Sequence, residues 1–344
     1  MAEDVNVVDP DAGAGYNYDS LYDWEAGEQA DIDTPGTQAI AKCRCTGGTA
    51  DTTAVAIDGW TTSAADYIKI WTDPSESYRH AGTYPTGNKY RHEITAASEI
   101  HNIEIKENYV KIEGLAIKGI HAASHGHGIK VSTTGDFFTL SSCLIVGDLG
   151  SSAYYNFGIE VNSANTTTPS MVVNCIIYNW GTGTNQAGIK FTSDTGSTEK
   201  ISVYSTTIVD CASGIDVRGG TITCTNVLVK CTDGFEVFSG TLNTSYCASS
   251  INDYLGGTGD RNSQTFTFVN EAADDFHLAS NDAGALGYGL NLYNDATYPF
   301  QTDIDGQDRG GAAAVWDIGA DEYVAAGGSS IVPILLHQYR ARRD

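Results

Sequence analysis

Three groups of side chains in this sequence have the types and spacing to do chemistry. His121, His125 and His127 fall in one short segment, His-Ala-Ala-Ser-His-Gly-His. Three imidazoles on a loop are donors for a divalent metal, but no carboxylate accompanies them and the spacing matches no zinc-protease pattern. They read first as a polar loop, with a metal site and catalysis as the alternatives. Asp303, Asp305 and Asp308 surround Gly306 and resemble an oxygen-rich calcium loop, yet the full EF-hand pattern is absent. Asp305-Gly306 is before that a tight-turn signal. Glu160, Lys190 and Arg218 supply a carboxylate and two cations, raw material for acid–base chemistry, but nothing in the spacing brings them to one cleft. The sequence therefore assigns no catalytic residue and no cofactor-binding residue. Its candidate metal ligands are His121, His125, His127, Asp303 and Asp305, with calcium the ion the aspartates would take.

These residues must be positioned by something, and the sequence repeats. Gly, a large apolar residue, a charged residue and Val or Phe recur at Gly128-Ile129-Lys130-Val131, Gly158-Ile159-Glu160-Val161, Gly188-Ile189-Lys190-Phe191, Gly214-Ile215-Asp216-Val217 and Gly234-Phe235-Glu236-Val237. The steps are 30, 30, 26 and 20 residues. Between them Ile112, Leu140, Val172, Val203, Ile222 and Leu242 are each followed five residues later by Ile117, Ile145, Ile177, Ile208, Val227 and Cys247. Alternation inside short strands, combined with a longer period that varies through loop length, predicts an all-β parallel β-helix. Ile129, Ile159, Ile189, Ile215 and Phe235 are expected to form one internal ladder, with the glycine of each repeat at a corner where φ is positive. Lys130, Glu160, Lys190, Asp216 and Glu236 then form an outward column whose alternating signs predict cross-strand ion pairing.

Composition agrees. The 344 residues include 38 Gly and only 2 Met, which suits short strands and many turns. The formal net charge is −24, with no Lys or Arg before Lys42, so nucleic acid is not an expected partner, because phosphate binding needs cations. The Met1-Ala2-Glu3-Asp4 opening is acidic and no apolar stretch follows, so no secretion signal is read there. Ile331 to Leu336, interrupted by Pro333, falls far short of the roughly 20 apolar residues that span a bilayer. Folding in the cytoplasm where the chain is made is expected, and with it reduced cysteines: Cys143 with Cys175, and Cys211 with Cys231, occupy equivalent repeat positions and stack as small apolar residues.

Both ends carry a resemblance. Tyr18-Asp19-Ser20-Leu21-Tyr22-Asp23-Trp24-Glu25 resembles the opening of β-helix proteins known from phage genomes, and reads as a short amphipathic helix with Ser20 as N-cap. Asp275-Phe276-His277-Leu278, Asp303-Ile304-Asp305-Gly306-Gln307-Asp308-Arg309 and Trp316-Asp317-Ile318-Gly319-Ala320-Asp321-Glu322-Tyr323 look like the terminal module of many right-handed parallel β-helix proteins of the pectate-lyase-like superfamily. That module implies fold and not chemistry. Arg309 is expected to pair with Glu322 or Asp321 and to close the last coil.

Residues 1–100 are thus expected to form an N-terminal cap with the first strands. Residues 101–326 would form the coils and a terminal closing module, and 327–344 a flexible linker with a docking peptide. In that tail Ile331, Leu335, Leu336, Tyr339, Arg340, Arg342 and Arg343 would meet a partner's apolar groove and acidic surface. The resemblance implies a non-enzymatic structural protein of a bacteriophage virion surface: a decoration protein, fibre or spike, with glycans as ligands. Its partners would be other virion proteins or copies of itself, a trimer for example. The alternatives are a polysaccharide lyase or hydrolase, and a cell-surface adhesin.

Overall fold

The protein is a parallel β-helix, seen in a computed structural model that describes residues 2–34, 36–96, 98–121, 125–132, 137–149, 155–164, 167–193, 198–253 and 255–325. Three parallel sheets surround one core, and each coil visits them in the same order. The first face holds strands Ala2–Val8, Thr37–Cys43, Ile68–Trp71, Val110–Glu113, Phe138–Ser141, Ser170–Val173 and Lys200–Tyr204. The second holds Arg91–Thr95, Ala116–Ile120, Leu144–Gly147, Ile176–Tyr178, Thr207–Val209, Leu228–Lys230 and Ala248–Ser249. The third holds Val55–Ile57, Ile103–Ile105, Gly126–Val131, Asn156–Val161 and Gln186–Phe191. Strands Ser213–Thr225 and Asp233–Ser245 turn from the third face into the first, which joins those two sheets at that end. The strands before residue 100 are rungs of these same sheets.

Alternation sets the core. Ile129, Ile159, Ile189, Ile215 and Phe235 pair in register on successive coils, and all five are buried. Each buried Ile contributes about 1.5–3 kcal/mol of transfer free energy. On the second face Ile117, Ile145 and Ile177 continue to Ile208 as expected, but Ile208 pairs with Val229, not Val227. Likewise Val203 pairs with Cys224 and not Ile222. A slip of two residues leaves every side chain on its own face, so alternation alone cannot detect it. The corner fixes the count: from the coil of Val110–Glu113 onward the turn from first to second face is two residues, and its first residue is left-handed at Gly114, Ser142, Asn174, Ser205, Asn226 and Tyr246.

The repeat glycines have a different reason from the one expected. Gly128, Gly158, Gly188, Gly214 and Gly234 are absent from the residues with positive φ. What they lack is room: a Cβ on Gly158 would fall 2.5 Å from Ile177 Cγ2 and 2.6 Å from the Gly188 carbonyl oxygen, and Gly128, Gly188 and Gly214 are as tightly enclosed. The column lets the third face close against the isoleucines of the second.

At the N-terminal end Ser20 caps the Leu21–Glu28 helix, its Oγ accepting from Asp23 N at 3.0 Å. Leu21 and Trp24 are buried, and Trp24 stacks on Trp60 with ring centroids 5.5 Å apart. All eight cysteines are free thiols.

The terminal module does not sit on the last coil. Residues 266–320 run back along the side of the helix, where Phe266, Phe268, Phe276, Leu278, Ile304 and Ile318 pack on the outward residues Leu144, Val146, Ile176, Tyr178 and Leu228 of the second face. Leu292 and Trp316 cover Met171, Val173 and Tyr204 of the first. On these coils many outward positions of the two faces are apolar, and that is the surface the module covers.

Candidate functional site

The third face carries a long column of titratable groups. Glu104, Lys130, Glu160, Lys190, Asp216 and Glu236 stand in register as one outward column. Lys190 Nζ lies 3.4 Å from Glu160 Oε1, and Asp216 pairs with Arg218 at 2.9 Å. Beside this column His101 stacks on His127, centroids 4.6 Å apart, and His127 on Phe157 at 5.0 Å. His127 Nδ1 accepts from Phe157 N at 3.2 Å, which leaves Nε2 to donate to Glu160 Oε2 at 3.0 Å. Burial alone would raise the Glu160 carboxyl, but the His127 hydrogen bond and the charges of Lys190 and Lys130 outweigh it and hold it down at about 2. Burial, helped by His127 and Lys130, lowers His101 to about 3; its Nε2 accepts from Lys130 Nζ at 3.2 Å.

The three imidazoles of the 121–127 segment do not share a ligand position. His121 is fully buried, its Nε2 3.3 Å from Asn102 Oδ1, its ring centroid 6.4 Å from that of Trp180, and burial lowers it to about 4. His125 stacks on Tyr155 at 5.2 Å and its Nδ1 accepts from Tyr155 N. His127 belongs to Glu160. Each ring is taken by a different neighbour because the strand begins at Gly126 and sends His127 along the sheet while His121 turns into the second face.

Two rims flank this face. At one end Tyr22, Ile100, Glu99, His101 and Glu104 line a shallow cleft of about 420 Å³. Along the side Tyr155 projects beside Lys190, whose Nζ lies 4.3 Å from the Phe157 ring centroid. Tyr22 is 52% exposed and Tyr155 49%. Exposed aromatic rings thus stand beside fixed charges along this face.

The terminal module holds the second set. Arg309 is 1% exposed; its Nη1 donates to Glu322 Oε2 at 3.2 Å, and its Nη2 to the carbonyls of Gly319 and Ala320 and to Asn174 Oδ1. Asn174 and Asn226 are left-handed corner residues, and their side chains bond the module at Thr302 O and at Leu290 N and O. Asp303 spends its oxygens on the amides of Asp305, Gln307 and Glu322. Burial, with Asp321 and Asp305 adding and Arg309 opposing, lifts its carboxyl to about 7. Asp305 sits elsewhere: its Oδ2 is 3.1 Å from His277 Nε2, and Asp321 completes a cluster with them. His277 and Asp321 were not among the sequence candidates. They lie 44 positions apart and meet only because the module folds on itself; the one available signal was that both belong to the terminal motifs. The docking residues Ile331, Leu335, Leu336, Tyr339, Arg340, Arg342 and Arg343 lie outside the described residues.

No family model matches this chain, and no curated protein matches it. Among solved structures it is similar to the crystal structure of pectate lyase Pel9A, at 11% identity over 94% of this chain and 97% of that one, with a TM-score of 0.35. At that score the likeness adds nothing to the strand pairing already described. No helix among the described residues is long and apolar enough to cross a membrane.

Proposed function

We propose that this chain is a non-enzymatic structural protein of a bacteriophage particle, displayed on the surface as a decoration, fibre or spike, with the third face as a glycan-binding surface. The observation that carries the reading is the commitment of Glu160. A glycosidase acid must hold its proton near neutral pH, whereas this buried carboxyl of the third face is tied to His127 and Lys190 and held near 2. Beside it in the column Lys190 pairs with Glu160 across strands and Asp216 with Arg218, so these groups present fixed donors and acceptors rather than an acid and a base waiting for substrate. The resemblance of the 18–25 opening to phage-encoded chains supports the virion setting.

The test is an array of bacterial surface polysaccharides probed with the full chain, run beside size analysis of the same polymers after long incubation. Binding that falls about tenfold in Tyr155→Ala, with polymer length unchanged, is the expected result. Shortening of any polymer, abolished by Glu160→Gln, overturns the non-enzymatic reading in favour of a carbohydrate-active enzyme.

A further inference from the structure

The contact between the terminal module and the body contains a ligand set that the display function does not use. His277 comes from the Asp275–Leu278 strand, Asp305 from the Asp303–Gln307 turn and Asp321 from the last turn of the module. One ligand atom from each lies within 4.8 Å of the others. The imidazole is oriented from behind, Nδ1 bonding Asp275 Oδ1, which is the carboxylate–histidine arrangement that aims Nε2 at a metal. Nε2 is enclosed and 3.1 Å from Asp305 Oδ2, yet it makes no properly directed hydrogen bond. Asp305 Oδ1 is enclosed and unbonded as well.

Two further observations fit a cation there. The module gathers Asp275, Asp303, Asp305, Asp317, Asp321 and Glu322 around only His277 and Arg309 as cationic side chains, so positive charge is in deficit. Gly82, from a turn of the body some two hundred residues away, closes over the cluster at φ +69°. A Cβ on it would lie 2.2 Å from His277 Nε2 and 2.6 Å from Asp305 Oδ1. Only glycine keeps those ligand atoms clear of a side chain.

We propose that His277 Nε2, Asp305 and Asp321 bind one divalent transition-metal ion of the zinc class, which fastens the module at the His80–Gly82 turn. One imidazole and two carboxylates leave a fourth position for water, a four-coordinate nitrogen and oxygen set that a zinc-class ion accepts, whereas calcium takes six to eight oxygens. At bond lengths of about 2.0–2.2 Å a tetrahedral site places ligand atoms roughly 3.5 Å apart, so binding draws the most widely spaced of the three inward by roughly an ångström.

The experiment uses the full chain, stripped with chelator and dialysed. It is titrated calorimetrically with Zn²⁺, Mn²⁺ and Ca²⁺, with the melting curve recorded at each end point. One equivalent of Zn²⁺ should bind in preference to Ca²⁺ and raise the melting temperature. Affinity should fall at least tenfold in His277→Ala and in Asp305→Asn, and also in Gly82→Ala, which leaves all ligands in place. Circular dichroism of the metal-free variants identifies any that fail to fold, and the remaining variants then decide. Absence of stoichiometric Zn²⁺ binding overturns the site and leaves His277 as an imidazolium paired with its aspartates. Preference for Ca²⁺, or binding unchanged in every folded variant, overturns the ligand assignment. Neither outcome touches glycan binding by the third face, which is remote from the module.

Discussion

At the scale of single residues, the molecule stabilises buried charge by giving each group a specific partner. Glu160 and Arg309 are the two clearest cases, and they differ in kind. Arg309 is fully enclosed and anchors backbone carbonyls; its removal would leave Glu322 buried without its cation, a loss of about 3–5 kcal/mol. Glu160 is coupled to pH. Its folded pKa of about 2 lies below its ordinary value of 4.5, so its contribution is fully present above about pH 4.5 and is lost as pH falls toward 2. The shift corresponds to about 3 kcal/mol. Glu160→Gln should therefore lower urea stability by about that amount at pH 7, and the gap between variant and wild type should close below pH 4. A gap that stays constant with pH would mean that packing, not charge, holds Glu160. The alternating column was legible in the sequence because a β-helix stacks equivalent residues. His101 as a partner of Lys130 was not, since it lies outside the Gly-apolar-charged repeat.

At the scale of the strand and corner, repeat spacing revealed the solenoid, and alternation its inward ladder from Ile129 to Phe235. Two things escaped it. The register slip at Ile222 and Val227 follows from a period-2 pattern, which cannot separate positions two apart. The reason for the repeat glycines is spatial and depends on Ile145, Ile177 and Ile208, which approach from another sheet. Gly158→Ala should consequently destabilise by about 1–3 kcal/mol through overpacking, although its φ suits alanine. Ile159→Val, next in sequence, should cost only about 0.5–1.5 kcal/mol. Chemical denaturation of the two variants measures the order; a neutral Gly158→Ala would contradict the close approach of the two faces.

At the scale of the whole molecule, the helix is a rod with one side covered by its own C-terminal segment. The sequence showed the terminal motifs but not where they dock, because the apolar outward residues Leu144, Ile176 and Leu228 were indistinguishable from core until three faces were assigned. Ending the chain at residue 264 should leave the coils folded but uncover that apolar stripe, giving self-association and dye binding in light scattering and fluorescence assays. A monomeric, non-sticky truncation would show that the module is not a cover. The covered side and the open third face together give the display reading its geometry, with one side fastened and the other offered to a ligand. Its most direct test is quantitative mass spectrometry of purified phage particles from cells in which the chain is made. A fixed number of copies per particle that survives a salt wash, and disappears when residues 327–344 are deleted, is the predicted result. Absence of the chain from particles, with all of it recovered free in the lysate, would contradict the account.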